Sequence, residues 1–124
     1  MRVLIVDDSF VMRRFIKDCL FKIGYQDIEE AQDGEEGLTK ARTQHFGLII
    51  TDWNMPKCNG LEFLRRIRTN PDTANIPVIM VTTRGNKEDV IEAMKAKANN
   101  YVVKPFTPEV LKTKIDIVLG LKKN

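Results

Sequence analysis

The chain reads as a single α/β domain, a parallel sheet with helices on both faces. Three observations predict it. Short apolar runs alternate with amphipathic stretches along the 124 residues. The runs are nearly continuous in Val, Ile and Leu, as strands covered on both faces must be. Several of them end in Asp, Thr or Lys, where the carboxyl edge of such a sheet would lie.

The elements follow in order. Val3–Val6 is the first strand candidate, and about Phe10–Ile23 the first helix, with Met12, Phe15, Ile16, Cys19, Leu20 and Ile23 on one apolar stripe. Gly24 follows it, where a left-handed cap is wanted. Asp27–Ala31 is the second strand. Asp33 with Glu36 resembles a capping box ahead of the next helix, about Glu35–Gln44. Leu48–Thr51 is the third strand and about Leu61–Thr69 the third helix, closed by Asn70-Pro71-Asp72. Val78–Val81, about Lys87–Ala98 and Tyr101–Val103 come next. Thr107-Pro108 then sets an N-cap before a first-turn proline, opening a helix over about Pro108–Leu121. Five strand–helix units in succession predict the parallel sheet. The Lys122-Lys123-Asn124 tail is expected to fray.

Composition narrows the function. With 43% hydrophobic and 30% charged residues the chain is an ordinary globular domain that can bury a core. A net charge of +3 is too mild to mark a nucleic-acid surface. Met1-Arg2 leads straight into a strand, so no signal peptide is expected. No run approaches the roughly 18 apolar residues of a membrane span. Cys19 and Cys58 have no metal or redox spacing and read as reduced thiols of a cytoplasmic protein. His45, at a helix end, is not a metal or phosphoacceptor candidate.

The polar residues after the strands carry the chemistry. Strand one ends in Asp7-Asp8, strand three in Asp52, strand four in Thr82-Thr83, and strand five in Lys104-Pro105. Ligand crevices of open α/β sheets lie beyond the carboxyl ends of the strands. Clustered there, three carboxylates repel one another unless a cation neutralises them, and all-oxygen ligands suit a hard ion such as Mg²⁺. A lysine balances remaining charge, a threonine hydroxyl bonds an oxyanion, and a carboxylate can itself be the nucleophile. Taken singly, each residue has a plainer reading. Asp7-Asp8 and Thr82 can be N-caps, Asp52 can open a turn, and Lys104 can be a solvated loop lysine. Together they describe a phosphoryl-transfer site.

Leu4-Ile5-Val6-Asp7-Asp8, Asp52-Trp53-Asn54-Met55-Pro56 with Gly60, Met80-Val81-Thr82-Thr83 and Tyr101-Val102-Val103-Lys104-Pro105-Phe106 resemble the receiver domain of bacterial response regulators. The likeness spans essentially the whole chain. Ser9–Arg14, Trp53–Pro56 and Tyr101 resemble its CheY-type chemotaxis branch. The resemblance implies a flavodoxin-like, doubly wound five-stranded sheet in the order 2-1-3-4-5. It implies Asp52 as phosphoacceptor, and Mg²⁺ on Asp8, Asp52, the Asn54 backbone carbonyl and, largely through water, Asp7. Thr82 would bond a phosphoryl oxygen, Lys104 would pair with the phosphoryl group, and Tyr101 would be the aromatic that follows Thr82 inward. The Lys104-Pro105 bond would be cis. Read as a strand residue alone, Tyr101 is a half-buried packing residue.

The expected function is a stand-alone, monomeric response regulator that catalyses only its own phosphorylation and dephosphorylation. A histidine kinase would supply phosphate, and a flagellar motor switch protein would be the partner, with Lys87 and Tyr101 on the contact surface. A dedicated phosphatase is a further expected partner. A phosphorelay intermediate or phosphate sink is the alternative. A flavodoxin-like enzyme is the third reading, against which stand the adjacent acids and the lack of a phosphate-cradling glycine loop. The chain departs from the best-known chemotaxis regulators in places. Arg84 stands where they carry an acid and, with Asn54, lies beside the route of the hydrolytic water, so it would tune dephosphorylation. Thr83 is bulkier than the usual alanine and would restrict the inward path of Tyr101. Lys97, Asn99 and Asn100 replace small residues or glycine, with Asn100 expected to supply the left-handed turn.

Overall fold

In the computed structural model, which describes residues 1–121, every apolar run is a strand and every amphipathic stretch a helix. The elements are β1 (Arg2–Val6), α1 (Phe10–Lys22), β2 (Asp27–Ala31), α2 (Gly34–Thr43), β3 (Leu48–Thr51), α3 (Gly60–Thr69), β4 (Val78–Thr82), α4 (Lys87–Lys95), β5 (Asn100–Val103) and α5 (Pro108–Val118). All strands are parallel, in the order β2-β1-β3-β4-β5. The expectation for the Lys122–Asn124 tail falls outside the described residues.

Period-two alternation divides the core between the faces of the sheet. Leu4, Val6, Ile49, Val78 and Met80 pack with Leu38, Phe63, Leu64 and Ile67 of α2 and α3. Val3, Ile5, Ile50, Ile79 and Val81 pack with Ile16, Leu20, Leu111 and Ile115 of α1 and α5. β3 and β4 are buried along their whole length. Each such side chain contributes roughly 1.5–3 kcal/mol by leaving water. β2, at the sheet edge, is only half covered. Its Glu30 meets Arg13 at 3.1 Å and Lys17 at 3.3 Å, and its Glu29 meets Lys40 at 3.5 Å.

Side-chain caps start every helix. Ser9, Asp33, Asn59, Asn86 and Thr107 each accept the N–H three residues on. Asp33 does so at 2.8 Å, but the returning Glu36 carboxylate takes the Gln32 N–H at 2.7 Å, one residue before the expected partner. Because Ser9 and Asn86 cap α1 and α4, Asp7, Asp8 and Thr82 are not helix caps.

Helix ends differ from the sequence reading where the backbone turns left-handed. α4 stops at Lys95, three residues short, because Lys97 adopts φ 73° and the Lys97 and Ala98 N–H groups fold back onto Met94 and Ala93. Asn100, expected to make that turn, is instead the first residue of β5. α5 stops at Val118, before Gly120 at φ 72°, and Gly24 takes φ 106° after α1. β1 begins one residue early because Arg2 pairs with Asp27 in the ladder. A left-handed lysine is strained by its Cβ, whereas glycine is not. Lys97→Gly is therefore expected to stabilise the fold by about 0.5–1 kcal/mol, read as a higher urea midpoint with unchanged slope.

Candidate phosphoacceptor site

The strand order reverses between β1 and β3, so a crevice opens beyond their ends. Val6 lies opposite Thr51 in register, and the Asp52 N–H donates to the Val6 carbonyl at 2.9 Å. This ladder sets Asp7 and Asp52 side by side. Carboxylate oxygens of Asp7, Asp8 and Asp52 all lie within 4.8 Å of one another. Asp7 and Asp52 are buried, while Asp8 faces solvent.

One cation joins the buried pair. Lys104 Nζ lies 3.2 Å from Asp7 and 3.6 Å from Asp52. It is placed by β5, whose last turn docks through the Lys104 N–H on the Thr82 carbonyl at 2.8 Å. The Lys104-Pro105 bond is cis, as the resemblance implied. Asp7 also accepts the Ser9 N–H at 2.9 Å, and Asp52 accepts the Trp53 N–H at 2.8 Å. Burial pushes the Asp52 carboxyl above its ordinary value, with Lys104 opposing the shift and Asp7 adding to it.

Asn54 lines an open cleft with Asp8, Trp53, Met55, Pro56, Asn59 and Arg84. Thr82 is fully buried at the end of β4, paired in the ladder with Val103. Its hydroxyl oxygen accepts the Arg84 N–H at 3.2 Å. Tyr101 is also buried, at 8% exposure, and its hydroxyl donates to the Arg84 carbonyl. Thr83 faces solvent and does not bar the ring from this position, contrary to the expectation from its bulk. Tyr101 as placed offers little surface to a partner, whereas Lys87 is exposed at the start of α4.

Two supporting residues were not assigned roles from the sequence. Arg13 donates to the Asp7 carbonyl at 2.6 Å and pairs with Glu30, so α1 and β2 together fix the acidic turn. Its signal was a basic residue one turn into the helix after the acids. Gly60 is the second. A Cβ there would sit 2.0 Å from the Asp52 carbonyl oxygen and 2.7 Å from Trp53 Cα. Only glycine lets the start of α3 close on the loop carrying Asp52, where the Gly60 N–H donates to the Trp53 carbonyl at 2.7 Å.

The fold and this rim of acids, threonine and lysine define a receiver domain. Residues 3–116 match the family model of the response regulator receiver domain. Chemotaxis protein CheY1 of Helicobacter pylori is 50% identical over 121 residues, covering 97% of this chain and 98% of that protein. The structure of chemotaxis protein CheY4 of Vibrio cholerae superposes with a TM-score of 0.87 at 38% identity, covering 94% of this chain and 97% of that one. A receiver domain of the sensor histidine kinase PA1611 of Pseudomonas aeruginosa, 26% identical, has a TM-score of 0.87 and covers 96% of this chain and 97% of its own. That domain holds a magnesium ion in its active-site cleft. The chain belongs to the response regulator receiver family, in its CheY-type chemotaxis branch.

Two predictions follow from the geometry. Gly60→Ala forces the Asp52 loop and α3 apart and is expected to lower stability by roughly 1–3 kcal/mol in urea unfolding. Asp52→Asn acts in the other direction. A carboxyl raised on folding binds more protons folded than unfolded, so its ionisation erodes stability as pH rises above the ordinary carboxylate value. With metal chelated, Asp52→Asn should raise the thermal midpoint at pH 7 by more than at pH 4.

Proposed function

We propose that this chain is a phosphorylation switch of a chemotaxis system, with Asp52 as the acceptor. One observation carries the proposal: three carboxylates converge beyond the switch point of the sheet with Lys104 bridging two of them. An Asp52 oxygen attacks the phosphorus of a histidine kinase's phosphohistidine or of a small acyl phosphate. The bond to the donor breaks, the donor leaves with its electron pair, and an acyl phosphate remains on Asp52. Catalysis is positioning and charge neutralisation, and the chain acts on itself alone.

The donor set fits a hard divalent ion, being all oxygen and partly open to solvent through Asp8. Asp7, Asp8, Asp52 and the Asn54 carbonyl would hold Mg²⁺, which when bound would offset carboxylate charge and polarise the phosphoryl oxygens. The magnesium-bearing relative from Pseudomonas aeruginosa supports this assignment. Lys104, already between Asp7 and Asp52, would follow the added negative charge as its nearest protein cation. Thr82 would turn its hydroxyl from the Arg84 N–H to a phosphoryl oxygen, exchanging one bond for another. The ring of Tyr101, bonded to the same loop, is the element through which that exchange reaches the surface of α4 and β5.

The partner proposed for that surface is a flagellar motor switch protein, supported by similarity to chemotaxis regulators. No helix of the described residues is long and apolar enough to cross a membrane. Trp53, the chain's only tryptophan, adjoins Asp52 and reports on the site. Its fluorescence is expected to respond saturably to Mg²⁺ and then to beryllofluoride or acetyl phosphate. Asp52→Asn should lose the second response together with the base-labile acyl phosphate. Persistence of that phosphate on the mutant chain would reject Asp52 as acceptor. Failure of the phosphorylated chain to bind the motor switch protein's N-terminal segment would favour a phosphate sink.

A further inference from the structure

Arg84 differs from every other exposed arginine of the chain in having both ends of the residue engaged at the site. Its guanidinium reaches the loop after β3: Nε and Nη2 donate to Asn54 Oδ1 at 3.2 and 3.1 Å. Nη1 reaches α4, donating to Asp89 at 3.3 Å. The guanidinium carbon sits 5.0 Å from the centre of the Trp53 ring, which is itself buried and so forms a firm floor. Asp89 is held in turn by Asn86: the Asp89 N–H donates to Asn86 Oδ1 at 2.8 Å, and the Asp89 carboxylate accepts from Asn86 Nδ2 at 3.0 Å. The side chain thus ties an otherwise exposed loop, Thr83–Asn86, to two separate elements.

The backbone of the same residue holds the switch. Its N–H occupies the Thr82 hydroxyl and its carbonyl accepts the Tyr101 hydroxyl. Where the carbonyl sits depends on where the side chain is anchored. We propose that Arg84 is a positioning residue that sets Tyr101 in its buried arrangement before any phosphoryl group reaches Asp52. This rests on the reading of Tyr101 as the moving aromatic. The guanidinium fork is what the clamp requires, because one planar group faces Asn54, Asp89 and the indole ring together; the point charge of a lysine does not reproduce that. In regulatory terms, the ring is set by the loop, and phosphorylation acts on an output face already biased toward one of its two states. Loosening the clamp should therefore widen the contrast between unphosphorylated and phosphorylated chain.

The test uses the full chain with Tyr25→Phe, which leaves Tyr101 as the only tyrosine, labelled with 3-fluorotyrosine and followed by fluorine NMR. Arg84→Ala is expected to move the resonance toward its solvent-exposed position, with the exposed share rising on the order of tenfold. Asn54→Ala should move it the same way, and the double variant should add little, because both remove one clamp. Arg84→Lys should resemble Arg84→Ala, and Arg84→Gln gives a second neutral variant if the alanine chain folds poorly. A general loss of stability would shift the urea midpoint without moving the native resonance. An unchanged native resonance in Arg84→Ala and Arg84→Gln overturns the proposal. Acyl-phosphate formation on Asp52 is scored separately, so a failed clamp leaves the phosphoacceptor assignment standing.

Discussion

Everything at the functional end of this molecule depends on holding buried negative charge in one place. Asp7 and Asp52 are withdrawn from water at the ends of adjacent strands, where burial and the neighbouring Asp7 charge both oppose ionisation of Asp52. Lys104 answers that repulsion from β5, two strands away from β3 in the sheet. A cation drawn from so far along the chain makes the sheet itself part of the site, because strand register decides whether the ammonium arrives between the acids. The remaining repulsion is useful. Carboxylates held this close form an all-oxygen donor set that suits a hard divalent cation, as the proposed function requires.

The supporting structure follows from that constraint. The acidic turn after β1 is tied from outside by Arg13 and from inside by the Ser9 N–H, which together hold Asp7 in place. The Asp52 loop is closed by an approach of α3 so tight that no side chain fits at Gly60. Helices are started by Ser, Asp, Asn and Thr caps that lie next to the site residues without being the site residues. Capping thereby falls to neighbours of the candidate site residues, while Asp7 and Thr82 spend their oxygen atoms inside the site, on the Ser9 N–H and Lys104 and on the Arg84 N–H.

Most of this was legible in the sequence for a physical reason. Buried parallel strands must be nearly continuous runs of apolar residues, and such sheets place their ligands at strand ends, so Val3–Val6 and Leu48–Thr51 announced both the sheet and the acids. Strand order was less accessible. It entered through the resemblance of whole motifs, because nothing local to β2 says that it pairs with β1 at an edge. Helix ends were misjudged where backbone conformation overrode side-chain preference, as at Lys97, which turns left-handed while the more tolerant Asn100 enters a strand. The Arg84 contacts were hidden for a different reason. They join residues 30 positions apart through a flexible side chain, and no periodicity records such a pairing. Gly60 was visible as part of a motif, but its purpose, close approach of backbone to backbone, is a property of space and not of spacing.

The half-covered edge of the sheet has a consequence of its own. β2 is an open template for another strand, and its protection is a row of glutamates pinned by Arg13, Lys17 and Lys40. Protection by charge is conditional. The pairs are partly exposed and are screened by salt, so at high ionic strength the glutamates hold the edge less firmly, beside exposed Phe10 and Phe21 on α1. Colloidal behaviour is therefore tied to ionic strength through the sheet edge: salt that screens these pairs leaves β2 more open to pairing with another strand.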